Sequence, residues 1–292
     1  MKFIHTADIH WGMNPDSDKP WSRERAQAIK DTFVRIIGEA KERDADCLFI
    51  SGDLFHSQPL VRDLKEINYL FSTIPAIHVC IIAGNHDRIR KSSALLSFSW
   101  SPNVTFFMGE EMSSVFFEDI NTEVFGFSYH SAEITENRLA GLKAPAGGRI
   151  SILMAHGGDA KHLPFDREQL LATSFSYIAL GHIHKPEIFP GNRMAYPGAP
   201  LEVGSEGPAV LYYTVLLTRI AYYYNAVSSP GTGSVYTDQT AAGTRSLQHL
   251  LGLPETGEVD ADTWEAAEGL GLALLTGALE PGADPIPQLR ED

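Results

Sequence analysis

The stretch CLFISGDLFH, residues 47–56, decides how the first two thirds of this chain are read. Cys47 to Ser51 has the length and apolar character of a short buried strand. It stops at Gly52, a residue that lets the backbone turn, and delivers Asp53 at the strand's carboxyl end. The same order recurs four times. Lys2 to Thr6 leads to Asp8-Ile9-His10, and Val79 to Ala83 leads to Gly84-Asn85-His86-Asp87. Ile150 to Ala155 leads to His156-Gly157, and Tyr177 to Leu180 leads to Gly181-His182-Ile183-His184. Between these runs, Ser22 to Arg43 carries Ala26, Ile29, Phe33, Ile36, Ile37 and Ala40 at helical spacing, and Leu60 to Phe71 and Arg167 to Ala172 read as further helices. Val115 to Glu118 and Val124 to Tyr129 read as a hairpin across Ile120-Asn121. The pattern predicts a layered α/β fold, mixed β-sheets flanked by helices, with ligands gathered at the carboxyl ends of the strands.

The residues at those ends share one chemistry. Six of the eleven histidines lie in or beside the five segments, counting His56 just beyond Asp53. Imidazole, carboxylate and amide oxygen without thiolate suit Mn²⁺, Fe or Zn²⁺. Two neighbouring cations repel, so a dinuclear site needs an anionic bridge, which a single carboxylate supplies. Cys47 and Cys80 lie in apolar runs and read as small core residues, which leaves no cysteine zinc cluster.

The ordered set resembles the calcineurin-like metallophosphoesterase superfamily. HTADIHWG (5–12), GDLFH (52–56), GNHD (84–87), GHIHKP (181–186) and YPGAP (196–200) resemble the SbcD-type DNA repair nucleases more closely, over roughly residues 1–202. The GDxxDRG pattern of protein serine/threonine phosphatases is missing, because Leu54-Phe55-His56 follows Asp53. The resemblance implies that Asp8, His10, Asp53 and His184 hold one divalent metal, and Asp53, Asn85, His156 and His182 the other. Asp53 would be the bridge and Mn²⁺ the expected ion. It also implies that His86 and His56 are catalytic groups rather than ligands. His86 would donate to the phosphate or the departing oxygen, and His56 would stabilise transition-state charge. Asp87 is read as orienting His86 or capping a helix. Arg88, Arg90 and Lys91, with Lys185, form either a basic rim for a nucleic-acid backbone or an ordinary solvated loop. Trp11 and Phe55 are wall residues or base-stacking platforms. His5, His78, His130, His162 and His249 are read as structural or exposed.

Composition divides the chain. All 15 Phe lie at or before Phe189, whereas six of the ten Tyr follow residue 210. Residues 211–292 hold three basic and eleven acidic side chains, so −8 of the net −14 lies there, and net charge weighs little against a DNA substrate. We expect a metallophosphoesterase domain over 1–204, a small α-helical domain over 205–279 and a disordered acidic tail over 280–292. Leu211 to Ala226, Thr240 to Leu251 and a helix capped by Asp262 are similar in order to the three-helix peptidoglycan-binding-like module. Neither the capping domain nor the segment that docks the SbcC ATPase in SbcD-type nucleases is recognisable after Glu202, though the resemblance implies such an ATPase partner and a homodimer. Leu253 to Gly257 spells a cell-wall sorting motif without the apolar stretch and basic tail expected after it. Arg219 breaks the longest apolar run, and Asp8 arrives before any signal core, which predicts a cytoplasmic location and no membrane span. The leading function is a Mn²⁺-dependent DNA nuclease, a 3′→5′ exonuclease with single-strand endonuclease activity. The alternatives are an esterase for small or cyclic phosphodiesters, and a phosphoesterase targeted by its C-terminal module.

Overall fold

The computed structural model describes residues 1–14, 22–189, 191–198, 205, 208–276 and 279. The acidic tail expected over 280–292, and Ala199 and Pro200 of the YPGAP stretch, lie outside them. The chain divides into two compact units, Met1–Gly198 and Ala199–Asp292.

In the first unit, β1 (Phe3–Thr6), α1 (Ser22–Glu42), β2 (Cys47–Ser51), α2 (Val61–Ser72), β3 (His78–Ile82) and β4 (Val104–Phe106) come first. β5 (Ser113–Phe117), β6 (Thr122–Gly126), β7 (Ile150–His156), α3 (Arg167–Leu171), β8 (Tyr177–Gly181), β9 (Glu187–Ile188) and β10 (Met194–Tyr196) follow. Among the described residues the strands make two sheets. One is parallel throughout, in the order β1-β2-β3-β4. The other is mixed, in the order β5-β6-β7-β8-β10-β9, with antiparallel pairs at both edges. The three-residue β4 and β10 and the two-residue β9 are too short to show a period of two in sequence.

Alternation along each strand builds the layers. Leu48 and Ile50 of β2, with Val79 and Ile81 of β3, face α1 and α2 and pack on Phe33, Ile37, Leu64, Ile67 and Phe71. Their neighbours Cys47, Phe49, Cys80 and Ile82 face the other way and meet Val124, Ile152, Met154 and Ala179 of the mixed sheet. Both cysteines are therefore free thiols buried between two sheets. The far face of the mixed sheet packs Leu153, Ile178 and Leu180 against Leu163, Leu170 and Phe175. Because β1, β2, β3, β7 and β8 run in register and parallel within their sheets, their carboxyl ends open on one edge of the sandwich.

The second unit contains α4 (Pro208–Tyr223), α5 (Asp238–Leu251) and α6 (Ala261–Thr276). Its core gathers Tyr213, Leu217, Ile220, Tyr236, Leu247, Trp264 and Leu270. The cap of α6 is Asp260, not Asp262: Asp260 Oδ1 accepts the Thr263 N–H at 2.8 Å, and Trp264 N–H reaches the Asp260 carbonyl. Burial of Val259 just before Asp260 fixes where the chain enters the helix. The Leu253–Gly257 stretch is folded into this unit, with Leu253 N–H on the Gln248 carbonyl and Gly257 N–H on Gln248 Oε1.

Candidate metal centre

Four residues at the strand ends carry left-handed backbone without being glycine: Asp8 (φ 55°), His10 (52°), Asp53 (51°) and His182 (93°). Such conformations cost an ordinary side chain of order 1 kcal/mol or more and collect at functional sites. Here they turn the chain so that side chains of both sheets converge. Asp8 N–H reaches the Gly52 carbonyl and His10 N–H the Asp53 carbonyl, which locks the first two loops together.

His156 sits at the centre, fully buried. Its Nδ1–H donates to the Ser51 carbonyl at 2.8 Å, so the neutral ring presents a lone pair at Nε2. That nitrogen lies 3.3 Å from Asp53 Oδ2 and 3.1 Å from Asn85 Oδ1. Three electron pairs facing one another repel unless a positive charge lies among them. Burial opposes protonation of His156, yet the Asp53 and Asp8 carboxylates overcome it and raise its pKa to about 9. The same field favours a metal cation.

Beside it, Asp8, His10 and His184 offer ligand atoms within 4.8 Å of one another, as do Asp8, Asp53 and His156. His10 and His184 meet Nε2 to Nε2 at 3.3 Å, and His184 Nε2 lies 3.6 Å from Asp8 Oδ1. His10 Nδ1 is buried with no hydrogen-bond partner. Burial lowers the His10 pKa to about 4, against the pull of Asp53 and Asp8, and so keeps it neutral as a ligand must be. Burial works against ionisation of Asp8 and Asp53, but the histidines around them hold both below the usual carboxylate range. A Cβ on Gly84 would overlap the Asp53 carboxylate and crowd His156, so only glycine fits under the cluster.

The profile described as calcineurin-like phosphoesterase matches residues 1–186. The chain belongs to the calcineurin-like phosphoesterase family. A second profile, a putative peptidoglycan binding domain, matches residues 207–267. The chain is 28% identical over 248 residues to the uncharacterized metallophosphoesterase YhaO of Bacillus subtilis, covering 75% of this chain and 58% of that protein. It is 30% identical over 225 residues to the DNA double-strand break repair protein Mre11 of Archaeoglobus fulgidus, covering 68% and 50%. Against Mre11 of Methanocaldococcus jannaschii the identity is 32% over 213 residues, covering 68% and 56%. The chain thus spans about half the length of the curated relatives it matches.

Divalent metal ions belong to this family's fold, and the donors here suit them: two buried carboxylates, an amide oxygen and imidazoles held neutral or facing anions. His86 and His56 border this group of candidate ligands. The His86 ring lies 4.9 Å from that of His10 and stacks on His56 at 5.2 Å. His86 Nδ1–H donates to the His56 carbonyl at 3.1 Å, which leaves Nε2 as its reactive edge. Asp87 plays neither part expected of it. Its Oδ1 accepts the Gly84 N–H at 2.7 Å and its Oδ2 the Phe55 N–H at 3.1 Å, and no helix begins there. It staples two loops, because a buried carboxylate takes the nearest unpaired N–H donors.

The basic residues divide. Arg88 is half-buried and donates to the Asn85 carbonyl at 3.0 Å, whereas Arg90 and Lys91 are exposed. Trp11 and Phe55 are buried and bridge β1 to β2 beyond their ends, so they are wall residues. His182 lies beside His156, with ring centroids 5.2 Å apart, and its backbone N–H donates to both Asp8 oxygens. Its Nε2, however, is 2.7 Å from Asp159 Oδ2, and His162 joins the same carboxylate. Asp159 closes no apolar run and so carries no signal in the sequence, and His162 stands outside the strand-end motifs. Tyr196 explains part of the YPGAP stretch: its hydroxyl donates to the Gly157 carbonyl at 2.8 Å and supports the end of β7. Among the described residues no helix is long and apolar enough to cross a membrane.

Proposed function

We propose that this chain is a two-metal phosphodiesterase acting on DNA, a Mn²⁺-dependent repair nuclease. The observation that carries the reading is the convergence of His156 Nε2, Asp53 Oδ2 and Asn85 Oδ1 beside the Asp8, His10 and His184 group, with His86 at its edge. In this reading Asp8, His10, Asp53 and His184 hold one ion, and Asp53, Asn85, His156 and His182 the other. When bound, such a pair would supply Lewis acidity and an activated water for in-line attack at phosphorus. The chain's own groups do the rest. In its imidazolium form His86 would donate its Nε2–H to a phosphate oxygen or to the departing one, held in aim by the His56 carbonyl. The His56 ring, stacked on His86, stabilises transition-state charge as a neutral N–H donor, because burial and the neighbouring His86 lower its pKa. Arg90 and Lys91 contact phosphates further along the strand.

DNA is favoured over small diesters by the relatives named as double-strand break repair proteins. The domain over 1–204 carries this chemistry, and the helical domain over 205–279 is a separate recognition module.

The test incubates the full chain with Mn²⁺ and labelled single- and double-stranded oligonucleotides, beside an aryl phosphodiester and a cyclic dinucleotide. Cleavage of DNA that is lost in Asp53→Ala and with chelator supports the proposal. Hydrolysis of the small diesters with DNA left intact replaces it by the small-substrate reading.

A further inference from the structure

We propose that Asp159 is a positioning residue that commits His182 to present Nδ1 to a divalent cation, an inference that rests on the two-metal reading. Asp159 Oδ2 lies 2.7 Å from His182 Nε2. A carboxylate only accepts, so Nε2 carries the proton and the lone pair of the neutral ring is at Nδ1. At its other end His182 is held by its backbone N–H on Asp8. Ring and backbone are thus both fixed, and a single nitrogen is left for a metal. Metal-bound imidazoles characteristically give their second nitrogen to such a carboxylate, which orients the ring and raises its basicity.

Asp159 is itself saturated. His162 Nδ1 lies 3.0 Å from each of its oxygens, and the N–H groups of Lys161 and His162 donate to Oδ1 at 2.8 and 3.0 Å. With His182, four N–H donors occupy the roughly four acceptor positions of an ionised carboxylate. This distinguishes a support from a ligand, even though Asp159, His162 and His182 place ligand atoms within 4.8 Å of one another. The loop that carries Asp159 is built to hold still. Gly157 (φ 151°) and Gly158 (φ 125°) supply its turn, and a Cβ on either would overlap the His162 carbonyl or the Tyr196 hydroxyl. Gly158 N–H closes it on the His162 carbonyl at 2.7 Å, and buried Leu163 anchors its end.

The experiment titrates the chelator-stripped full chain with MnCl₂ by calorimetry, for wild type, Asp159→Ala and the isosteric Asp159→Asn. In parallel, ¹⁵N-histidine NMR of the Zn²⁺-loaded proteins reads the His182 tautomer. Wild type is expected to take two ions, with His182 protonated at Nε2. Asp159→Ala keeps one affinity and loses about 10–100-fold in the other, with a mixed tautomer; Asp159→Asn falls between. Unchanged affinities with an unchanged tautomer overturn the inference and leave the two-metal reading standing. So does a third ion in wild type that Asp159→Ala alone abolishes, since that makes the carboxylate a ligand. Wild type that takes up no ion overturns both.

Discussion

His156 Nδ1 lies 2.8 Å from the carbonyl oxygen of Ser51, although 105 residues separate them. This bond joins the carboxyl end of β7, in the mixed sheet, to that of β2, in the parallel sheet. It also sets which nitrogen of His156 faces Asp53 and Asn85. One hydrogen bond therefore closes the sandwich and aims a metal ligand.

Gly181 lies directly against this bond, and a Cβ there would overlap the Ser51 carbonyl and press on His156 and Ala7. Gly181→Ala is expected to cost about 1–3 kcal/mol through overpacking. It should also weaken Mn²⁺ uptake at least about tenfold, because a His156 turned away loses its metal-facing nitrogen. Gly38→Ala is the control: it has open space within α1 and should be neutral or stabilising by up to about 1 kcal/mol. Urea unfolding and calorimetric titration of both variants check the contrast.

Asp8 and Asp53 are buried together, and each disfavours ionisation of the other. Cations that relieve this repulsion should stabilise the fold, by about 2.7 kcal/mol at a metal concentration 100 times the dissociation constant. Chelator should reverse the gain. Asp53→Asn is expected to abolish most of the metal-dependent rise in melting temperature, and the chelated variant should itself melt below wild type, because His156 loses the carboxylate that faces it. A metal-induced shift in Asp53→Asn equal to that of wild type would rule out a shared carboxylate.

His86 and Asp87 are adjacent but should fail differently. His86→Ala removes a side chain that donates Nδ1–H to the His56 carbonyl and strands no buried N–H, so kcat is expected to fall about 10²–10⁴-fold with Mn²⁺ affinity retained. Asp87→Ala strands the buried N–H groups of Phe55 and Gly84, at about 2 kcal/mol or more. Its loss of activity should therefore track unfolding. Comparing kcat with denaturation midpoints for the two variants separates the roles.

Asp8, His10, Asp53, Asn85, His156 and His184 were legible in sequence because each closes a run whose apolar pattern marks a buried strand, and strand ends meet. Asp159 and His162 were not, because the loop over 157–163 has no period and its partner His182 lies 23 residues further on. Asp87 was visible as a residue but not as a staple, since the Phe55 N–H it accepts belongs to a neighbouring loop that only the fold brings near. For the same reason Pro186 and Gly198 looked like two separate motifs. A Cβ on Gly198 would overlap Pro186, so they are one contact.

In the second unit, Gln248 is fully buried and satisfied at both ends. The two N–H groups of its Nε2 are shared among Thr256 Oγ1, the Glu258 carbonyl and Thr263 Oγ1, all within 3.1 Å, and its Oε1 accepts the Gly257 N–H. Gln248→Leu leaves the Gly257 N–H and the Glu258 carbonyl without this partner and is expected to destabilise the helical unit by about 2–4 kcal/mol. Differential scanning calorimetry of the full chain should show an earlier transition for that unit, with Mn²⁺ uptake unaltered. Loss of metal binding in the variant would contradict the independence of the two.

His5 gives the pH dependence a defined sign. Burial lowers its pKa to about 3, with the Leu180 backbone and Asp8 opposing, and its Nε2 is buried without a partner. Unfolded, it titrates near 6.5. Between those values the unfolded chain binds the extra proton, so this residue destabilises the fold as pH drops below 6.5 and continues to do so down to about 3. At pH 5 the cost is about 2 kcal/mol. His5→Gln cannot titrate, so its stability relative to wild type should rise by about that amount between pH 7.5 and pH 5 in urea unfolding. Because the metal ligands are common to both proteins, their own titration cancels in the difference. Parallel pH profiles for the two would mean that His5 is protonated in the fold as readily as in water.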